Sequence, residues 1–144
     1  MKTPVASLST IAIGLAVMGG APCDAHAHHT YAMFDGDRTA TVTGTVAKLE
    51  WRNPHVYLWV YVRDPKAQGG HTLYAFENGA PNVLERRGWS KNLLRAGDAI
   101  KVTYWPLRDG RPGGHFEAAT LGDGRVMRGS GGPRGPNGDA PVKP

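Results

Sequence analysis

From His55 to Val62 the chain alternates without a break. Val56, Leu58, Val60 and Val62 are aliphatic, and His55, Tyr57, Trp59 and Tyr61 stand between them. A period of two puts the two sets on opposite faces of a strand, whereas a helix would scatter both around its circumference. The aliphatic face demands a core, and the other face carries rings with polar edges. A slip of one residue would turn the aliphatic row to solvent, so the register of this strand is strongly specified. This part of the chain must join a sheet that is buried on one side.

The flanking segments supply the rest of that sheet. Thr39 to Trp51 is β-branched or small and suits a long strand. Val42 and Val46 share one parity and Leu49 and Trp51 the other, so a one-residue bulge near Ala47 would bring all four to the core face. Asn53-Pro54 is a turn, Asp64 to Gly70 a loop, and His71 to Glu77 a third strand. Pro81, the apolar pair Val83 and Leu84, and a stop at Gly88 predict a helix of about two turns. Ser90 would cap one further turn through Leu93 and Leu94, ending at Gly97-Asp98. Ile100, Val102 and Tyr104 alternate along a fourth strand, and Phe116 to Leu121 makes a fifth after a turn region at Asp109 to Gly114. Three strands, one short helix and two strands is the order of a five-stranded Greek-key barrel of the OB type. A bulged first strand containing Gly44 fits, because that strand must bend to serve both sides of the barrel.

The two ends read differently from this middle. Lys2, the apolar run within Val5 to Val17 and the small-x-small triplet Ala25-His26-Ala27 have the layout of an export signal cut after Ala27. The run is too short for a bilayer that needs roughly 20 residues, so no integral membrane segment is expected after processing. Cys23, the single cysteine of the chain, would leave with the signal, which excludes a disulfide framework and a cysteine-rich zinc site. A periplasmic or secreted address follows. At the other end, from Gly129, the residues are nearly all Gly, Pro, Arg, Asn and Asp, without periodicity, which predicts a disordered tail. The expected organisation is a signal at 1–27, an OB-like domain at 28–127 and a tail at 128–144.

Several short segments together carry a resemblance. They are His28-His29-Thr30-Tyr31, Glu50-Trp51-Arg52-Asn53-Pro54-His55, Ala75-Phe76-Glu77, Ala80-Pro81-Asn82-Val83-Leu84, Arg87-Gly88-Trp89 and Gly97-Asp98. In these the chain resembles a family of small exported bacterial proteins known as domain of unknown function 6152, over roughly residues 28 to 127. The resemblance implies export and a compact β domain, and no activity. Thr30 stands where members of the family often have Ser.

Among chemical readings, the sharpest concerns the new N-terminus. Cleavage after Ala27 would free the amine of His28, and amine plus imidazole form a chelate suited to Cu(II), which prefers nitrogen donors in a tetragonal arrangement. His55, at the start of a strand after the Asn-Pro turn, is the best third nitrogen. His29 is the local alternative, and His71, His115, Met33 and Glu77 are weaker ones. Set against this, two histidines after a signal cut are also tolerated in a flexible terminus, and His55 suits a half-exposed strand position. Glu77 is a metal ligand or general base on one reading and the partner of Arg86 or Arg87 on another. Tyr57, Trp59 and Tyr61, on the face opposite the core, form a second candidate site, where rings of a saccharide or a protein partner would stack. That face can equally be covered by the chain's own segments. The formal net charge of +5 would favour nucleic acid in another compartment, but export argues against that partner. Arg125, Arg128, Arg134 and Lys143 could draw the tail to an anionic envelope surface. No Ser-His-Asp order, phosphate-binding glycine loop or paired carboxylates appear. The sequence therefore predicts a binding module for a metal ion or an envelope component rather than an enzyme.

Overall fold

The computed structural model describes residues 31–132. Strands β1 (Ala40–Glu50), β2 (Tyr57–Arg63) and β3 (His71–Glu77) form an antiparallel meander, followed by helix α1 (Pro81–Glu85), β4 (Ala99–Pro106), β5 (Gly113–Leu121) and β6 (Val126–Arg128). β1 pairs β2 on one side and β4 on the other, and β4 pairs β5. The sheet then closes on itself. β3 meets β5 in parallel through Ala75–Gly113, Phe76–Gly114 and Glu77–His115. The result is a closed five-stranded barrel with one short helix between β3 and β4, a layout compatible with the OB type.

Closure requires β1 to bend, and the register of its pairing with β2 shifts between Val46 and Lys48, at the Ala47 bulge that parity demanded. Gly44 sits where the strands press together. A Cβ there would lie 2.3 Å from the carbonyl oxygen of Tyr61. The barrel is filled as alternation predicts, with Val46, Val56, Leu58, Val60, Ile100, Val102, Phe76 and Phe116 buried, and Val42, Leu49, Trp51 and Val62 packed partly against them. Burying such side chains contributes roughly 1.5–3 kcal/mol each against leaving them in water.

Three elements depart from expectation. Helix α1 ends at Glu85, because Trp89 turns inward instead. Its N–H bonds the Leu84 carbonyl at 3.1 Å, Gly88 takes φ +85°, and the indole is buried with its Nε1 donating to the Arg128 carbonyl at 2.8 Å. Ser90 to Leu94 is a hydrogen-bonded turn, not a helix, with Leu93 N–H donating to Ser90 O at 3.1 Å. β5 begins three residues earlier than hydrophobicity suggested, at Gly113, and a sixth strand follows it. β6 takes the edge of β5 beyond the β3 contact, pairing Ala118–Thr120 with Val126–Arg128. The domain also runs past residue 127. Gly129 N–H donates to Glu117 O at 2.7 Å and Ser130 N–H to Asn78 Oδ1 at 3.0 Å, so 129–132 lies along the barrel as a strap where composition had predicted a disordered tail.

At the other end, Asp35 N–H donates to Pro106 O at 2.8 Å and Arg108 N–H to Met33 O at 2.9 Å, around a bridge between Phe34 and Leu107. These bonds seat the segment before β1 on the end of β4. The expected signal at 1–27, the residues His28 and His29, and residues 133–144, with Arg134 and Lys143, lie outside the described residues. No described helix is long and apolar enough to cross a membrane.

Candidate functional site

The pairing of β2 with β3 sets Tyr57 directly opposite Glu77, and the next pair outward continues the ladder. Asn78 N–H donates to Val56 O at 2.8 Å and Val56 N–H to Gly79 O at 3.1 Å. His55, delivered by the Asn53-Pro54 turn, therefore arrives beside Glu77 rather than in solvent. Its Nδ1 lies 3.1 Å from Glu77 Oε1 and 3.2 Å from the Asn78 carbonyl oxygen. Both neighbours are acceptors, so Nδ1 is the donor, and in the neutral ring Nε2 is the nitrogen that carries the lone pair. The second carboxylate oxygen of Glu77 accepts from the Tyr57 hydroxyl at 2.9 Å. Burial, with the hydrogen bond and charge of Glu77 adding to it, pushes the Tyr57 phenol up to about 12. Glu77, with its side chain only 13% exposed, is thus a clamp with one oxygen on each neighbour. It pairs with neither Arg86 nor Arg87. Arg87 instead donates to the Gly129 carbonyl.

His115 is Glu77's neighbour across the parallel closure. It is buried, and its Nε2 donates to the Gly131 carbonyl at 2.6 Å, leaving Nδ1 buried with no hydrogen-bond partner among the described residues. Burial holds its pKa below the usual histidine range, so the ring is neutral in the folded protein near pH 7. Tyr31 meets this ring edge-on with centroids 5.2 Å apart, Phe34 lies at 5.4 Å, and Trp105 stacks at 5.9 Å. The segment leading in from the N-terminus and the strap at 129–132 therefore converge on His115, one strand away from Glu77 and its partner His55.

The other candidates lie apart. Met33 is exposed next to Phe34 on the N-terminal segment, and His71 is exposed at the far end of β3, with Nδ1 3.1 Å from Gly69 O. Among the described residues no three His, Cys, Asp or Glu come together as a metal-holding group. Any metal at His55 must draw further donors from elsewhere.

The aromatic row of β2 is divided by its neighbours. Tyr57 belongs to Glu77. Trp59, partly accessible, donates its Nε1 to Glu50 Oε2 at 3.1 Å and has the Lys48 ammonium 5.0 Å from its ring centroid. That indole bond, together with Lys48 and Arg52, holds the Glu50 carboxyl below its ordinary range. Tyr61 is the exposed member, with 49% of its surface open.

Two contributors to the His55 end were not singled out from the sequence. Asn78 is buried and bonds both Gly79 N–H and Ser130 N–H through its side-chain oxygen, fixing the strap beside the site. Gly131 supplies the acceptor for His115. The first had a usable signal, since a polar residue next to Glu77 at a strand end has to satisfy its amide once buried. A glycine carbonyl has none.

A family model described as a family of unknown function, DUF6152, matches residues 16–116. The chain belongs to this family. The match runs from the apolar N-terminal run through β1 to β4 and into β5, and so includes His28, His55, Glu77 and His115. No curated protein and no solved structure matches the chain.

Proposed function

We propose that the protein is an exported copper-binding module of the periplasm or the extracellular space, in which the amine and imidazole of a processed His28 act with Nε2 of His55. One observation carries this reading. Tyr31 is seated on His115, whose strand partner is Glu77, and Glu77 with the Asn78 carbonyl engages Nδ1 of His55, which leaves Nε2 as the ligating nitrogen. From His28 to Tyr31 is three residue steps, a reach of at most about 10–11 Å. A mature N-terminus at His28 would therefore lie within that reach of the Tyr31–His115 contact.

The residues suit the metal chemically. A ligating histidine that donates its other ring N–H to a carboxylate has a fixed ring orientation and a more basic donor nitrogen, and His55 with Glu77 has that arrangement. Three nitrogens, two from one residue, match the tetragonal preference of Cu(II). Bound copper would supply redox or Lewis-acid chemistry, while the chain itself orients His55, places Tyr57 beside the clamp and keeps His115 neutral. His29 is the alternative local donor.

The test is a Cu(II) titration of protein that begins at His28, compared with protein carrying one additional methionine before it. The first should bind one copper with a nitrogen-rich electron paramagnetic resonance spectrum, and the extension should weaken binding sharply by removing the amine from the chelate. Equal affinity of the two forms refutes the N-terminal site.

A further inference from the structure

At the end of β2 remote from His55, the outer faces of three strands bring a second set of groups together. Thr45, Tyr61 and Leu73 stand side by side in register, and the next β2–β3 pair is Arg63 with His71. The exposed Tyr61 ring borders an open groove of about 450 Å³, completed by Thr45, Gln68, Gly69 and His71. The loop that forms one wall is built rather than slack. Asp64 N–H donates to Gly70 O at 2.9 Å, Gly70 N–H to Ala67 O at 2.9 Å, and the Asp64 carboxylate accepts from Thr72 Oγ1 at 2.8 Å and Lys66 N–H at 3.0 Å. Those bonds, the one to Thr72 foremost, hold Asp64 below its ordinary pKa, so it is a carboxylate committed to the loop. Arg63, which shares the outward parity of Tyr61, and Lys66 make no ion pair among the described residues.

We propose that this groove binds an acidic saccharide unit. A pyranose ring has an apolar C–H face and a rim of hydroxyls. The groove answers with one open aromatic ring and, around it, an amide, an imidazole and a hydroxyl at Gln68, His71 and Thr45. His71 Nδ1 faces the Gly69 carbonyl and is therefore a donor, so in the neutral ring Nε2 is an acceptor for a sugar O–H. Arg63, exposed beside the groove as the strand partner of His71 and without an ion pair among the described residues, offers a planar guanidinium fork suited to a carboxylate on the sugar. A nucleic-acid strand fits less well, because successive bases need successive open rings, and Tyr57 and Trp59 on this face are bonded to Glu77 and Glu50. The site is independent of the copper reading. Four residues of β2, roughly 13 Å at the usual strand rise, separate Tyr61 from Tyr57.

The probe is a trimer of galacturonic acid, with its fully methyl-esterified form as the neutral counterpart, added to ¹⁵N-labelled protein beginning at His28. Amide shifts should move for Tyr61, Gln68, Gly69 and His71 and stay still for His55 and Glu77. The acid form should bind about tenfold more tightly than the ester and lose that advantage as salt rises. Tyr61→Ala should weaken both forms at least about tenfold, a loss in the range of one base–aromatic stack, and Arg63→Gln should weaken only the acid. Both side chains are exposed, and an unchanged thermal unfolding midpoint would verify that the variants fold. Three results overturn the proposal: no shift in the groove at millimolar trimer, equal binding of acid and ester, or undiminished binding by Tyr61→Ala. Stronger occupation of the same amides by single-stranded DNA would overturn it in favour of a nucleic-acid ligand.

Discussion

Replacing Glu77 with Gln alters one atom and separates the clamp from everything else in the fold. In the parent, one carboxylate oxygen accepts from His55 Nδ1 at 3.1 Å and the other from Tyr57 Oη at 2.9 Å. An amide offers one oxygen and one NH₂. If the oxygen stays on His55, Nδ1 keeps its proton, and the loss is that of the negative charge behind the ring. If the NH₂ faces His55, Nδ1 must become the acceptor, the proton moves to Nε2, and the nitrogen available to a metal disappears. Removing the carboxylate that orients a ligating histidine usually costs about 10–100-fold in metal affinity, or roughly 1.4–2.7 kcal/mol. The charge-only outcome belongs at the low end and the tautomer switch at the high end. The assay is competition for Cu(II) against a chelator of known affinity, using protein that starts at His28. Copper bound to Glu77→Gln should keep the His55 imidazole coupling in its electron paramagnetic resonance spectrum after the charge-only change and lose it after the tautomer switch. Tyr57→Phe, which leaves the His55–Glu77 contact in place, should lose far less. A folded Glu77→Gln protein that binds copper as tightly as the parent would refute the argument, because His55 would then need no orienting carboxylate.

Two further outcomes concern the barrel. Leu58 is 1% exposed, so Leu58→Ala should reduce the free energy of unfolding by about 2–5 kcal/mol in a denaturant titration; a loss below about half a kcal/mol would mean that the core is not packed around it. His115 has its pKa lowered by burial, so as pH falls through the unfolded histidine value of about 6.5 the unfolded chain takes up a proton before the folded one does. Its contribution is therefore complete above that pH and is lost as pH falls. Denaturant titrations at a series of pH values should show stability declining below about 6.5, and His115→Phe should flatten part of that decline; an unchanged slope would place the titration on other histidines.

How much of this could be read from the chain depends on which interaction decides each element. The alternation from Val56 to Val62 and the parity break in β1 reach the right answer because burial on one face of a strand leaves a local trace, and the Ala47 bulge follows from parity alone. Helix α1 falls short of its predicted length because Trp89 is buried against Phe116 and bonded to Arg128 of β6, tertiary contacts no local pattern records. The same distinction applies at the site. His55 was visible as a directed strand-start residue and Glu77 as a polar strand end, yet their meeting depends on β2–β3 register. His115 looked like one weak candidate among several, and its importance comes from the parallel closure of β3 on β5, which joins segments far apart in sequence.

The strap shows why composition misleads at this C-terminus. A glycine-rich run without periodicity lacks apolar area to offset the entropy of ordering, so disorder is the ordinary reading. Here the side chains are missing because there is no room for them. A Cβ at Gly129 would lie 2.7 Å from the Phe116 carbonyl oxygen, and one at Gly132 would lie 2.1 Å from the Trp105 ring. The strap is held through its main chain, by Arg87 on Gly129 O, Asn78 on Ser130 N–H and His115 on Gly131 O. Asn78 and His115 are buried in the body of the domain, so the cost of leaving them unpaired falls on the body if the strap lifts. Gly129 and Gly132 therefore permit close approach to the barrel, and Gly131 between them, at φ +114°, turns its carbonyl to His115. Because His115 is also the ring on which Tyr31 rests, the C-terminal strap supports the surface on which the segment before β1 is seated.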